Sequence, residues 1–220
     1  MAEGKKQIHF VLVHGGCHGA WSWYKVASRL RSQGHLVTAL DMAAAGVNPK
    51  HLQHLNSFSN YYHPLMKFLE ALPPDGKVVL VGHSMGGICI SAAMEKFPEK
   101  IAVAVFVTAF MPSPEFNVQT ILKEALTLAT MLVRPAKLFH EADWLGEAPL
   151  SKQNYCSVPR VYIIADKDNL LKPEFQTWMI ENNPTSEVQT ISGADHMVMF
   201  SRPQELCFCL QDFAEKYCRL

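Results

Sequence analysis

The chain has 220 residues, of which 49% are hydrophobic and 18% are charged. This length and balance are typical of one folded domain with a large apolar core, and they exclude disordered, coiled-coil and collagen-like proteins. Twenty basic and twenty acidic residues cancel to a net charge of zero, so we expect no nucleic-acid partner, which would require a basic face. The longest apolar stretch, 102–111, has about half the length of a membrane-spanning helix, so we expect no membrane partner.

The cysteines and the N-terminal sequence indicate a reducing compartment. No two of the six cysteines form a CxxC pair, and the first ten residues hold no apolar segment of the kind found in secretory signals. Free, buried thiols suit a chain of this size better than a disulfide framework does. We therefore predict a cytoplasmic protein, with no metal and, because no nucleotide motif is present, no cofactor.

Short runs rich in Val and Ile alternate with segments of helical periodicity. In chain order we predict strand 8–13, helix 21–33, strand 35–40, helix 57–72, strand 77–82, helix 85–96, strand 101–108, strand 161–165, helix 173–182, strand 188–191 and helix 203–217. The strands lack polar/apolar alternation, so we expect both of their faces to be buried. This pattern predicts an α/β fold with a mostly parallel, doubly wound sheet, whose ligand site lies at the carboxyl ends of the strands.

Residues 112–158 interrupt this rhythm. The segment contains several prolines and a predicted helix, 118–131, but no clear strand. Two interpretations stay open at this point: a long insertion over the strand ends, or a surface crossover helix with irregular flanks.

The third predicted strand runs into Gly82-His83-Ser84-Met85-Gly86, a G-x-S-x-G motif followed by a helix. In this strand–turn–helix context the motif predicts a nucleophilic serine on a sharp turn, where neighbouring side chains larger than glycine would clash. The turn exposes Ser84 Oγ and points the Met85 amide at an oxyanion formed on an attacked carbonyl.

A serine nucleophile needs a base, and in this fold the chain order is serine, acid, histidine. His196 follows the last predicted strand and is the predicted base, whereas His140 lies in the irregular segment. The acid should follow the preceding strand, where Asp166 and Asp168 both qualify and spacing favours neither. Asp195 adjoins the base in sequence, so we interpret it as a turn residue.

The loop after the first strand should supply a second oxyanion donor. It reads His14-Gly15-Gly16-Cys17-His18-Gly19, and its small residues let backbone amides approach the site, with the Gly16 amide as the candidate. We interpret His14, His18, Asp41 and His83 as residues that hold the loops. No separate base accompanies Cys17, so we do not assign it as a nucleophile.

Several blocks in order, HFVLVHGGCHGAWSWYK, GHSMGG, AVFVTAFMP, EFQTWMIENNP and GADHMVMFSRPQELC, resemble the plant methylesterase and hydroxynitrile lyase family of α/β-hydrolases. The resemblance extends from about Gln7 to Tyr217. It implies the α/β-hydrolase fold with a helical cap, and a Ser84–His196–Asp168 triad, since the family places its acid third in the polar run. It further implies oxyanion donors at Gly16, where the family usually has alanine, and at Met85.

The resemblance also implies that Phe110 and Met197 line the substrate pocket. The lyase members carry a lysine directly after the base and a threonine after the first-loop histidine, where this chain has Met197 and Gly15. A lysine cation would stabilise leaving cyanide, so the esterase members match better. The family cap is also longer: between Phe110-Met111-Pro112 and Val133-Arg134-Pro135 this chain lacks a few tens of residues.

These observations predict a single 1–220 domain with a shortened cap within 112–158. The expected activity is hydrolysis of methyl esters of small plant acids, such as salicylate, jasmonate, indole-acetate or alkaloid-type esters, through an acyl-enzyme. The expected partner is a small-molecule ester or its acid product, and the family often forms homodimers. Two alternatives stay open: a hormone-binding protein on a hydrolase scaffold with little turnover, or a hydroxynitrile lyase or alkaloid-pathway esterase.

Overall fold

Parallel strands form the sheet at the centre of the fold, in a computed structural model that describes residues 7–116 and 149–218. The strands are β1 (His9–Val13), β2 (Leu36–Leu40), β3 (Val78–Ser84), β4 (Ile101–Ala109), β5 (Arg160–Ala165) and β6 (Glu187–Ile191). Their spatial order is β2-β1-β3-β4-β5-β6, and every neighbouring pair is parallel. The predicted α/β sheet is confirmed, and all of its carboxyl ends lie along one edge.

Helices cover both faces of this sheet. They are α1 (Tyr24–Ser32), α2 (Phe58–Glu70), α3 (Gly86–Lys96), α4 (Pro173–Asn182), α5 (Val198–Ser201) and α6 (Pro203–Tyr217), with short 3₁₀ helices at Ala20–Trp23, Leu52–His54, Pro98–Lys100 and Tyr155–Ser157. Local signals set several ends. The Ser57 side chain accepts the Asn60 amide and so caps α2, and Gly34 follows α1 with a φ of +89°.

The core divides into one apolar cluster on each face of the sheet. Along β3, Val78 and Leu80 pack with α2 and α3, whereas Val79 and Val81 pack with α1 and α6. Burying each of these side chains contributes about 1.5–3 kcal/mol. The sheet is therefore doubly wound, and β3 is held from both sides where it delivers Ser84.

The edge strands correct one expectation. We predicted burial on both faces of every strand, but β2 is at best half-buried, and Val188, Gln189 and Thr190 in β6 are exposed. Each edge strand has a neighbouring strand on one side only, so the other side is open. Full burial is reached at the centre of the sheet, where all seven residues of β3 are buried.

The predicted cap region enters the described structure only at its flanks, 112–116 and 149–158, and the predicted helix 118–131 lies outside the described residues. Asn183 donates from Nδ2 to the Pro112 carbonyl at 3.0 Å and to the Tyr155 hydroxyl at 2.9 Å. One buried side chain therefore joins the two flanks. In the part of the chain that is described, no helix has both the length and the apolar character of a membrane span.

Candidate active site

Ser84 lies at the end of β3 with a φ of +52°, on the sharp turn Gly82–Gly86, which we call the elbow. A positive φ is uncommon for a residue with a side chain and stores backbone strain. Met85 caps the N-terminus of α3 directly after it. The serine hydroxyl is thus held at the carboxyl edge of the sheet and at the start of a helix, as the motif predicts.

The glycines around Ser84 are required because neighbouring backbone atoms leave no space for a side chain. A Cβ on Gly82 would lie 2.8 Å from the Gly86 carbonyl oxygen, and one on Gly86 would lie 2.8 Å from the carbonyl oxygens of Val13 and His14. A Cβ on Gly87 would lie 2.1 Å from the Phe110 oxygen. These are backbone atoms, which cannot swing aside, so the turn can form only without side chains at these positions.

The structure brings Ser84, His196 and Asp168 into one hydrogen-bonded line. His196 Nδ1 lies 2.7 Å from Asp168 Oδ2, and His196 Nε2 lies 3.1 Å from Ser84 Oγ. Because the carboxylate only accepts, Nδ1 donates to it, and Nε2 is left to accept the serine proton. The Asp168 side chain has no solvent exposure and that of His196 only 16%.

The two aspartates that sequence spacing could not separate have different partners. Asp168 Oδ1 accepts the amides of Leu170 at 2.7 Å and Leu171 at 2.8 Å, while Oδ2 faces His196. Asp166 instead accepts the Gly193 amide at 2.6 Å and the Ser192 hydroxyl at 3.2 Å. Asp166 therefore braces the loop that carries the histidine, without contacting its ring.

Two buried histidines hold the loops around the serine. His14 Nε2 accepts the Met42 amide at 3.1 Å, and its Nδ1 donates to the Gly15 carbonyl at 2.7 Å. His83 Nε2 donates to the His196 carbonyl at 2.7 Å. Burial lowers the pKa of His14, and burial together with the nearby His196 lowers that of His83 well below its ordinary value, so both side chains are neutral.

The first loop and the elbow meet at Gly16 and Met85. A Cβ on Gly16 would lie 3.7 Å from the Met85 side chain, an ordinary contact. Neither amide donates a hydrogen bond to another described residue. His18 Nδ1 donates to the Gly16 carbonyl at 2.7 Å, and Asp41 Oδ1 accepts the Ala20 amide at 2.7 Å. The two side chains hold this loop in place.

Phe110 and Met197 flank the same edge of the sheet. The Phe110 amide donates to the Ser84 carbonyl at 3.1 Å, and its half-buried ring packs on the α3 side of the core. Met197 follows His196 directly and packs on the opposite side. Both residues thus lie next to the line of three side chains, one from each face.

Sequence reasoning missed Thr108, whose hydroxyl donates to Asp168 Oδ2. A polar residue near the end of an otherwise apolar strand was the available signal. His140 lies outside the described residues. Across 7–116 and 149–218, no group of three or more His, Cys, Asp or Glu side chains is arranged to hold a metal ion.

Comparison with known proteins supports the same fold. The alpha/beta hydrolase fold family matches residues 8–148. Methyl jasmonate esterase 1 of Vitis vinifera is 48% identical, and the match covers 97% of this chain and 99% of that protein. Salicylic acid-binding protein 2 of Nicotiana tabacum is 40% identical over 99% of this chain and all of that protein.

A solved structure extends the likeness from the sequence to the fold. Tomato methylketone synthase I, in a variant complexed with β-ketoheptanoate, superposes with a TM-score of 0.90 at 40% identity, covering 98% of this chain and 100% of that one. The match to the grape protein runs over 258 residues, whereas this chain has 220. At least 38 residues of that relative therefore have no counterpart in this chain. By this identity and coverage the chain belongs to the plant methylesterase family of α/β hydrolases, a family of carboxylic ester hydrolases.

Proposed function

We propose that this protein is a serine carboxylesterase that hydrolyses methyl esters of small plant acids, with Ser84, His196 and Asp168 as its catalytic residues. The observation that carries the proposal is the line of hydrogen bonds from Ser84 Oγ through His196 to Asp168, at 3.1 and 2.7 Å. Nucleophile, base and orienting acid are within reach of one another before any substrate binds.

In the proposed reaction, Ser84 Oγ attacks the ester carbonyl while His196 Nε2 takes the serine proton. The buried Asp168 stabilises the imidazolium and keeps Nδ1 protonated. Collapse of the tetrahedral intermediate breaks the bond to the methoxide oxygen, which takes the proton from His196 and leaves as methanol. Water, activated in turn by His196, then releases the acid and regenerates the serine.

The amides of Gly16 and Met85 are the proposed oxyanion donors. Both residues lie beside Ser84, where the first loop meets the elbow. The Met85 amide is also at the N-terminus of α3, whose dipole favours a negative charge. Loss of one such donor typically costs about 10²–10³ in kcat. Phe110 and Met197, one on each side of the triad, are the proposed walls for the acyl group.

The substrate class rests on the relatives, two of which are named for jasmonate and salicylate. Jasmonate and salicylate esters are small and largely apolar, which suits walls made by a phenylalanine and a methionine. Lyase chemistry is disfavoured at Gly15, where a Cβ would lie 2.8 Å from His83 Nδ1 and 2.9 Å from Ser84 Cβ. The threonine of the lyase members has no room in this packing.

Hydrolysis of p-nitrophenyl acetate and of methyl salicylate, by wild type and Ser84→Ala, tests the proposal. We expect both activities in the wild type and a loss of at least about 10³-fold in the variant, with an unchanged circular dichroism spectrum. Full hydrolysis by folded Ser84→Ala would overturn the assignment. Turnover of the activated ester alone would show working chemistry without the proposed acyl pocket.

A hormone-binding protein with little turnover is the second candidate. It is favoured by the relative named as a salicylic acid-binding protein and by the 38 or more residues that this chain lacks against the grape esterase. A shortened cap would exclude less water from the site. Salicylate or jasmonate binding in calorimetry, together with no turnover of any methyl ester, would select this candidate.

A reducing, cytoplasmic location and a homodimer complete the proposal. The six cysteines, all within the described residues, form no disulfide, and burial raises the pKa of the Cys207 thiol to about 11, which makes it unreactive. The dimer rests on the family resemblance, and light scattering on the purified protein tests it.

A further inference from the structure

Thr108 is the extra residue of a β-bulge next to the candidate active site. In the pairing of β3 with β4, His83 lies opposite Val107 and Ser84 lies opposite Ala109, so Thr108 has no partner across the strands. Its φ is +38°, which is a conformational outlier for a β-branched residue. Bulges of this kind re-aim one side chain and are over-represented beside active sites.

The neighbouring strand holds this bulge. The buried Tyr162 hydroxyl of β5 accepts the Ala109 amide at 3.0 Å and donates to the Ala109 carbonyl at 2.8 Å. One side chain thereby satisfies both backbone groups beside the bulge, which would otherwise be costly to bury. The strained turn at Thr108 therefore has a dedicated support.

The bulge aims the Thr108 hydroxyl at Asp168. It donates to Oδ2, the same oxygen that accepts His196 Nδ1. With the Leu170 and Leu171 amides on Oδ1, the carboxylate accepts four hydrogen bonds. Thr108 is fully buried and Asp168 nearly so, so no solvent competes for these bonds.

We propose that Thr108 is a positioning residue for the triad, acting through Asp168, and that Tyr162 aims it. The inference rests on the proposed function. Four donors fix the rotation of the carboxylate, so Oδ2 stays in line with the imidazole. Because Thr108 shares that oxygen, it also draws charge density from the bond to His196 and moderates the stabilisation of the imidazolium.

The charged and titratable groups around His196 come from three directions. Asp168 faces Nδ1, the neutral His83 ring lies 4.8 Å away between centroids, and Ser84 faces Nε2. Asp166 and Arg202 hold the base loop through Gly193 and Ser192. Among the hydroxyls of the described residues, that of Thr108 donates directly to Asp168. Removing this hydroxyl therefore alters the hydrogen bonding of Asp168 with the least effect on Ser84, His83 and the loop that carries His196.

The test compares Thr108→Val with Thr108→Ser in the kcat/KM profile for p-nitrophenyl acetate between pH 5 and 9. Valine keeps the branched shape but removes the donor, so we expect kcat/KM to fall roughly ten- to hundredfold, the effect of one hydrogen bond to a charged group. We also expect the acidic limb to move to higher pH, because the imidazolium loses a competitor for Oδ2. Thr108→Ser should restore both to near the wild-type values.

Two further measurements separate positioning from general packing. Thr38→Val removes a hydroxyl that binds His9 in the β2–β1 region and should leave the profile unchanged. The downfield proton resonance of His196 Nδ1–H should shift in Thr108→Val, and Tyr162→Phe should reproduce that shift in part. If Thr108→Val does not fold, Thr108→Ala with the same resonance replaces it.

The inference is overturned if Thr108→Val, or Thr108→Ala in its place, shifts neither the acidic limb of the profile nor the His196 Nδ1–H resonance. It is also overturned if the kcat/KM of Thr108→Ser is no higher than that of Thr108→Val. Failure of the proposed function looks different, since Ser84→Ala would then retain the hydrolysis. The inference alone fails if Ser84→Ala is inactive while Thr108→Val behaves as wild type.

Discussion

Single atoms decide which residues the elbow tolerates. A Cβ added at Gly82, Gly86 or Gly87 would lie too close to a backbone oxygen for any side chain to fit. A Cβ added at Gly16 would meet only the flexible end of the Met85 side chain. The two kinds of glycine look alike in the sequence. Their difference gives a prediction for each.

Gly87→Ala should destabilise the protein by about 3 kcal/mol or more, since the new methyl would displace the Phe110 backbone rather than a side chain. Gly16→Ala should change stability by less than about 1 kcal/mol and retain esterase activity, because the Gly16 amide is unaltered. Urea denaturation and initial rates check both. Equal behaviour of the two variants would contradict the contact argument.

The two aspartates of the β5 loop give a second matched pair. Asp168→Asn should lower kcat roughly 10³–10⁴-fold, because an amide cannot enforce the histidine tautomer that a carboxylate does. Asp166→Asn should cost about tenfold or less, since it weakens only the brace to Gly193. Steady-state kinetics on one methyl ester decides between them, and the reverse ranking would move the acid to Asp166.

At the scale of elements, α3 supports the site at both ends. Its N-terminus follows Ser84, and near its C-terminus Glu95 accepts the Ser151 amide at 2.7 Å, the Ser151 hydroxyl at 2.8 Å and the Tyr155 amide at 3.3 Å. One carboxylate thus anchors the segment that leads into β5. The helix that follows Ser84 therefore also holds the segment before β5, the strand that leads to Asp168.

Glu95→Ala should therefore reduce the free energy of unfolding by about 1.5–3 kcal/mol, the loss of hydrogen bonds to a charged acceptor. Glu99→Ala is the matched control, because Glu99 is exposed four residues further along the chain. It should change the free energy of unfolding by no more than about 0.5 kcal/mol. Thermal unfolding followed by circular dichroism measures both. A control as damaging as Glu95→Ala would show that the anchor is not specific.

For the whole molecule, buried neutral histidines set the response to acid. The pKa values of His14 and His83 are lowered by burial, so between the unfolded value of 6.5 and these lower values the unfolded chain binds protons that the folded chain does not. Stability is then flat above about pH 7 and falls as the pH drops below 6.5. Protonation would also end the ability of His14 to accept the Met42 amide.

We expect Tm to fall steadily between pH 6.5 and 5.5, and His83→Gln to flatten that slope because one proton-linked site is gone. The exposed His51→Gln is the control and should follow the wild type. Differential scanning calorimetry across pH 5.5–8 makes the comparison. A wild-type Tm that rises on acidification in this window would reverse the sign and refute the linkage.

Local patterns were sufficient for much of this protein. The strand and helix order, the elbow at Ser84 and the position of His196 after the last strand depend on short-range periodicity and on contacts within a few residues. Helix α4 and α6 were predicted to the residue because proline opens each and a break follows. The family resemblance added the choice of Asp168.

Tertiary structure alone decided the rest. The exposure of the edge strands and the hydrogen bond from Thr108 to Asp168 appear only in the folded chain, and that bond joins residues 60 apart in the sequence. Such contacts depend on strand order and on a one-residue bulge, and a shift of one residue turns a side chain to the other face. No local pattern carries that information, because the energy that selects it comes from packing across the sheet.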